Sequence, residues 1–380
     1  MRKPLSLVLV LLLALSLAAQ SKIGGTGKLG GTIKNGTSAG GGGGPNGFSA
    51  FKTITIDHTK VANTNQTDFP MLFSGTFTYL KTTGNGGDVT DAEGDDIIFT
   101  SDSGCTTNLK FEQESYAASS GLVNYWVKIP TLSASVDTVI YLCYGKSAIT
   151  TFQGDPTNVW TNSFAGVWHL GNGSTLSSLN SVTGNSGTIT GATASTGKID
   201  GAGNWVATSD KIVTDLTTNA TQRTYSAWTR RHGEGGGGHG RVFQKGTTVS
   251  KETLFVESPL EASTYEFLSN HNATVGDWTF PKPSIDVFHH IVLAYDSGST
   301  SNNPVVWVDS VSQTINLKLT PAGTPTGGTE AYLIGNRLTN DRGWDGDLDE
   351  FRIADVLRSA DWVTTEYNNQ FSPSTFYTVT

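Results

Sequence analysis

Four aspartates near the C-terminus, Asp341, Asp345, Asp347 and Asp349, form the strongest candidate site in the sequence. Calcium takes roughly six to eight oxygens from carboxylates, carbonyls and water, and a loop running into a strand supplies several of them. The spacing is not that of an EF-hand loop. The expectation is therefore a calcium ion at a domain rim, held chiefly by Asp341, Asp345 and Asp347. The alternative is a solvated loop followed by a Glu350–Arg352 surface pair of little energetic weight. Strand alternation places Asp347, Asp349 and Phe351 on one face and Glu350 and Arg352 on the other.

Bond-breaking chemistry finds little support. Glycoside hydrolysis needs two carboxyls about 5–10 Å apart across the scissile bond, and Asp345, Asp347 and Asp349 alternate with no Glu in register. The Gly-x-Ser-x-Gly letters occur at Gly36–Gly40, inside the Gly-rich run and not at a strand-to-helix elbow, neither Cys105 nor Cys143 has a His in a catalytic setting, and Gly40–Gly44 lacks the Lys and helix of a phosphate loop. His232 and His239 bracket a glycine-rich run too loose for a metal cage, which reads as a hairpin tip. His289 and His290, adjacent on a strand, point to opposite faces. The acids Asp88, Asp91, Glu93, Asp95 and Asp96 repel one another, so a cation, or water and salt, must neutralise that turn. Trp344, Trp278 and Trp205 fall at loop-like or edge positions, whereas Trp228 and Trp307 lie inside strands. Trp344 and Trp278 are the candidate sugar-stacking platforms, against the commoner reading of Trp in a β-sandwich as core, because it buries so much area.

The elements that carry these residues are strands. Phe51–Asp57, Phe69–Phe73, Asp96–Thr100, Leu109–Glu114, Val123–Ile129 and Thr138–Tyr144 alternate or run apolar between Gly, Asp and Pro, which predicts a small antiparallel sandwich over residues 48–147. Asp155-Pro156 marks a joint within a linker at 148–158. Beyond it, many short strands at turn-limited spacing, ending in Gly346–Ile353, predict a two-sheet jelly roll over residues 159–380. One helix fits near the end, with Ser359 as cap, Asp361 in the first turn, and Trp362, Val363 and Tyr367 docking on the sandwich.

Charged residues make up 15% of the 380-residue chain, which suits turn-rich β structure better than a helical bundle. The formal charge of −8 repels phosphate backbones and argues against nucleic acid as a partner. Residues 1–19 combine Arg2 and Lys3, an apolar run from Leu5 to Leu17 and small residues at Ser16, Ala18 and Ala19, the pattern of a cleaved secretory signal; an uncleaved anchor is the alternative. Residues 20–47 are Gly-rich and read as a flexible tether. Cys105 and Cys143 are the two cysteines of a chain that reads as exported, and either a disulfide or two buried thiols is compatible with their spacing.

Phe69-Pro70, Asp95-Asp96-Ile-Ile-Phe99, Trp126-Val-Lys-Ile-Pro130 and Tyr141-Leu-Cys-Tyr-Gly145 resemble a secreted bacterial and archaeal β-domain of unknown function that commonly precedes a laminin G-like module. The remainder resembles that module, a concanavalin A-like, pentraxin-type jelly roll, through Tyr225-Ser-Ala-Trp228, Phe288-His-His-Ile-Val292, Val306-Trp-Val-Asp309 and Asp349-Glu-Phe-Arg-Ile353. The tail Glu366-Tyr-Asn-Asn-Gln370 to Ser372-Pro-Ser-Thr-Phe376 is similar to that of proteins with this pairing. The resemblance implies an all-β, secreted or cell-surface binding or adhesion protein whose jelly-roll rim meets an extracellular glycan or protein, with calcium as the candidate ion. A structural part of a surface layer, fibre or phage-like appendage is the alternative, and a glycan-cleaving enzyme a third reading.

Overall fold

The computed structural model describes residues 43–246, 252–257 and 264–380. The expected signal at 1–19 and nearly all of the expected tether lie outside the described residues. Among the described residues no helix is long and apolar enough to cross a membrane.

The strands pair antiparallel throughout the described residues. The N-terminal sandwich sets Ala50–Ile56, Thr138–Tyr144 and Ile98–Thr100 in one sheet and Gln66–Thr76, Leu122–Leu132 and Phe111–Ala117 in the other. The alternation seen in the sequence is the cause: Ile54, Ile56, Phe99 and Tyr125 turn inward and are buried. A disulfide joins Cys105 to Cys143, with Cα atoms 6.2 Å apart and a sequence separation of 38, a loop closure that contributes about 2–4 kcal/mol.

The chain then builds two larger sheets. One runs Val311–Ser312, Val305–Val308, His289–Asp296, Gln222–Arg231, Gly346–Ala354, Gly201–Trp205, Thr193–Thr196, with Phe164–Trp168 also paired to Gly346–Ala354. The other runs Asn316–Leu319, Gly276–Pro281, Thr264–Ser269, Glu252–Val256, Arg241–Lys245, Tyr332–Ile334, Lys211–Val213, Thr188–Thr190. Side chains such as Trp168, Tyr225, Phe243, Phe267 and Phe351 fill the space between them. This is the expected jelly roll.

Two features depart from the expected layout. Residue 380 is not the end of the jelly roll alone, because Tyr377–Val379 returns to the N-terminal sandwich and pairs with Ala50–Ile56. The helix Ala360–Phe371 also faces both ways: Trp362 meets Phe69 of the sandwich, with ring centroids 5.1 Å apart, while Val363 packs with Val292 and Trp307 of the jelly roll. Pro70 lies in an edge strand, Gln66–Thr76, where a missing N–H costs no ladder bond. That edge is covered by side chains. Asn369 accepts from the Leu72 amide at 2.7 Å and donates to its carbonyl at 3.0 Å, and the Tyr377 hydroxyl bonds the Ser74 amide and carbonyl at 2.9 and 3.0 Å.

Gly346–Ala354 is buried along all nine residues, since the jelly-roll core covers one face and the N-terminal sandwich with the helix covers the other. Gly346 opens it at φ 137°, where a β-carbon would collide with the carbonyl of Arg230. The expected alternation fails midway. Pairing with Gln222–Arg231 slips between Ser226 and Trp228, and Glu350 sits at φ 52°, a β-bulge that inverts the parity of the residues after it. Leu348, Phe351 and Ile353 enter the core together, while Asp347, Asp349, Glu350 and Arg352 find partners on the opposite face. Glu350 and Arg352 are thus a buried pair, 1% and 2% exposed, and not the surface pair expected from alternation.

Candidate functional site

At one end of the jelly roll, strand ends and the loops 219–221 and 325–327 surround a cavity of about 190 Å³. Its charged lining is Arg223, Lys245 and Glu252, the first two only 2% exposed. Glu252 accepts from Arg223 Nη1 at 2.8 Å, from the Tyr332 hydroxyl at 2.7 Å and from the Tyr225 hydroxyl. Lys245 donates to the Thr218 carbonyl and the Asn219 amide oxygen. Burial, with the Arg223 guanidinium beside it, pushes the Lys245 ammonium down to about 8. The remaining polar lining comes from Asn219, Thr221, Ser269, Asn270, Ser297 and Thr326, and Asn270 Nδ2 donates to Thr326 Oγ1 at 2.7 Å. Among the described residues Glu252 is the one carboxylate lining this cavity, where glycoside hydrolysis uses a pair.

The residues singled out in the sequence lie elsewhere. Trp344 and Trp278 are 1% and 0% exposed and belong to the jelly-roll core, so neither is a stacking platform; Trp205 is buried too. Their large apolar area wins over their loop-edge position in the sequence. Trp278 Nε1 donates to Asn303 at 2.8 Å, and the Trp344 ring lies over Tyr265.

Asp341, Asp345 and Asp347 do not share an ion site. Both Asp341 oxygens are taken by Arg337, at 2.7 and 2.6 Å, which holds this carboxyl far below the usual range. Asp347 accepts from Ser195, Asn204 and Arg230 at 2.5, 3.0 and 2.8 Å and faces His232 Nε2 at 2.9 Å. Cations of the chain itself neutralise both carboxylates. His232 and His239 do not meet on a metal: the loop between them packs on Arg342, which donates to the carbonyls of Gly236 and Gly237. The acidic turn before Ile97 is ordered by its own hydrogen bonds, Asp96 accepting from Thr90 and Asp91, and Asp91 from Glu93 and Asp95.

Burial alone would raise the Asp347 carboxyl, but the bonds from Ser195, Arg230 and Asn204 hold it below its ordinary value. A depressed folded value means that its contribution is present above pH ~4 and is lost as pH falls further. Asp347→Asn should be about 1–3 kcal/mol less stable at pH 7 in urea titrations, with a shallower loss below pH 4. Identical acid limbs for the two proteins would contradict this.

A second cluster goes unannounced by any local spacing. Where the N-terminal sandwich meets the jelly roll, His169 Nδ1 lies 2.7 Å from Glu350 Oε1 and 3.7 Å from Glu114 Oε2, and its Nε2 lies 3.2 Å from Glu112 Oε2. Arg352 joins Glu350, with Nη2 at 2.5 Å, to Glu366, with Nη1 at 2.8 Å. Trp126 donates to Glu114 at 2.8 Å and Trp160 to Glu112 at 2.6 Å. Burial pushes the Glu114 and Asp349 carboxyls well up, with Glu350 adding to both. Burial would lower the His169 imidazole, yet Glu350, Glu112 and Glu114 hold it well above its usual value. The signals that could have found the cluster are Glu112-Gln-Glu114 within a strand and a charged pair, Glu350 and Arg352, inside an otherwise core-forming strand.

Residues 200–364 match the family model described as the concanavalin A-like lectin/glucanases superfamily, Laminin_G_3. Among curated proteins none matches. Solved structures with a similar chain path include the binding domain of Paraclostridial Mosquitocidal Protein 1 (TM-score 0.42, 11% identity, covering 56% of this chain and 52% of that one). Another is domain 4 of AbnA, a GH43 extracellular arabinanase from Geobacillus stearothermophilus, in complex with arabinotriose (0.37, 16%, 54% and 98%). A third is the receptor binding domain of botulinum neurotoxin C/D mosaic serotype (0.42, 10%, 55% and 51%). The chain spans about half the length of the first and third of these. Residues 200–364, the stretch that matches the concanavalin A-like family model, lie within the two-sheet jelly roll and are preceded in the chain by an N-terminal β-domain.

Proposed function

We propose that this chain is a secreted, noncatalytic binding protein whose jelly-roll rim recognises the end of an extracellular glycan. The observation that carries the reading is the cavity around Asn219, Thr221, Asn270 and Thr326 over the Arg223–Lys245–Glu252 cluster. Amide and hydroxyl groups converging on a recess are the donors and acceptors that sugar hydroxyls need. At about 190 Å³ the recess lies below the roughly 300–1,000 Å³ of sites for drug-sized ligands, which suits one terminal ring and not a long chain. Calcium has no part in this reading, because among the described residues the lining offers one carboxylate and that one is held by Arg223 and two tyrosines.

A glycan array probed with the full chain tests it. Binding should persist in EDTA, no reducing ends should be released, and Asn270→Ala should bind about 2- to 13-fold more weakly, as loss of about 0.5–1.5 kcal/mol implies. Absence of any glycan signal, unchanged binding by Asn270→Ala, or cleavage of the bound sugar would count against the proposal.

A further inference from the structure

The joint between the modules is built in a way that packing alone does not require. Two β-bulges, one in each module, aim carboxylates at the same imidazole. In Phe111–Ala117 the pairing slips between Gln113 and Ser115, so Glu114 is the extra residue; in Gly346–Ala354 the bulged residue is Glu350. Bulges re-aim side chains, and they concentrate beside functional sites. The third member, His169, follows the strand Phe164–Trp168 that pairs with Gly346–Ala354. One donor atom from each of Glu114, His169 and Glu350 lies within 4.8 Å of the others.

We propose that Glu114, His169 and Glu350 bind a divalent transition-metal ion, zinc by its ligand chemistry, through one oxygen of each glutamate and Nδ1 of the histidine. The surroundings are those of a metal-binding imidazole. Nε2 points at Glu112 Oε2, 3.2 Å away, and Glu112 is itself fixed by Trp160 Nε1 at 2.6 Å and by Ser181 Oγ at 2.6 Å on its other oxygen. A carboxylate accepting from Nε2–H keeps that proton in place, so that an arriving metal has only the Nδ1 proton to displace. Arg352 holds Glu350 by Oε2, which leaves Oε1 facing His169.

A second observation points to a missing partner. Glu114 Oε1 has no hydrogen bond, although the side chain is only 4% exposed. Burial favours the neutral acid at Glu114, and a cation beside it would stabilise the ionised form in its place. The imidazole decides the class of ion, since calcium and magnesium take oxygen donors, whereas zinc accepts His together with Asp or Glu. Glu114 and His169 also line a cavity of about 190 Å³, through which an ion can enter and water can complete its coordination.

The test is calorimetric titration of the EDTA-stripped full chain with zinc chloride, with calcium chloride as the contrasting ion. One equivalent of zinc should bind, with a change in tryptophan emission from Trp126 and Trp160, whose rings lie 5.6 Å from that of His169. Calcium should bind at least tenfold more weakly. Glu114→Gln, which can still accept from Trp126, and His169→Gln should each weaken zinc at least tenfold. If His169→Gln fails to fold, Glu114→Gln decides alone. Asp57, His58 and Asp137 form a separate, more exposed group of possible ligands, so His58→Gln serves as the control and should keep the site. No stoichiometric zinc, unchanged affinity in Glu114→Gln, or loss with His58→Gln alone would overturn the proposal.

Discussion

Replacing Arg352 with Met is expected to destabilise the chain by about 3–5 kcal/mol, the cost of stripping the partner from a buried ion pair. The guanidinium is 2% exposed, bridges Glu350 and Glu366, and lies 4.3 and 4.9 Å from the ring centroids of Trp126 and Trp160. Met fills much of the same volume but takes the guanidinium from Glu366 and leaves Glu350 with His169 alone. Because domains are stable by only about 5–15 kcal/mol, urea unfolding at pH 7 in EDTA should show the loss clearly. Adding Glu366→Gln to Arg352→Met should recover part of it, since the buried charge that lost its guanidinium is then gone. A single-variant loss below about 1 kcal/mol would show that the joint is wetter than its burial implies.

The second large effect is expected at Trp362, 4% exposed and wedged between Phe69 and Phe164 with the Arg358 guanidinium 3.9 Å from its ring centroid. Trp362→Ala should cost about 3–5 kcal/mol. It should also change the shape of the transition. Residues 42–380 form one compact unit, and a single apolar cluster draws on both modules, from Phe69 and Phe111 to Phe164, Ala354 and Trp362. The unaltered chain should therefore unfold in one calorimetric step, and Trp362→Ala should separate it into two. Two steps already in the unaltered chain would mean that the helix does not couple the modules.

Both effects sit on features that the sequence shows only in part. Alternating runs such as Phe51–Asp57 and Tyr225–Thr229 are legible because each carries its own period of two. The closing strand is legible as a strand, yet the bulge at Glu350 is not, because one inserted residue inverts every later side chain while the sequence pattern stays smooth. Trp344 and Trp278 look like rim residues from their neighbouring turns, whereas their burial depends on strands far away in the chain. The rim cavity is hidden for the same reason. It takes single residues from several strand ends, among them Asn219, Lys245, Asn270 and Thr326, and no local spacing relates them. The joint is harder still, since His169 and Glu350 are 181 residues apart and Tyr377–Val379 pairs with the first strand of the chain.

The most direct test of a recognition rim without bond-making is a crystal structure of the chain soaked with the best-bound array glycan. An intact terminal sugar is expected between Asn219, Asn270 and Thr326, over Arg223 and Lys245. A sugar seated elsewhere on the jelly roll, or a cleaved product beside Glu112 and Glu114, would contradict that role for the rim.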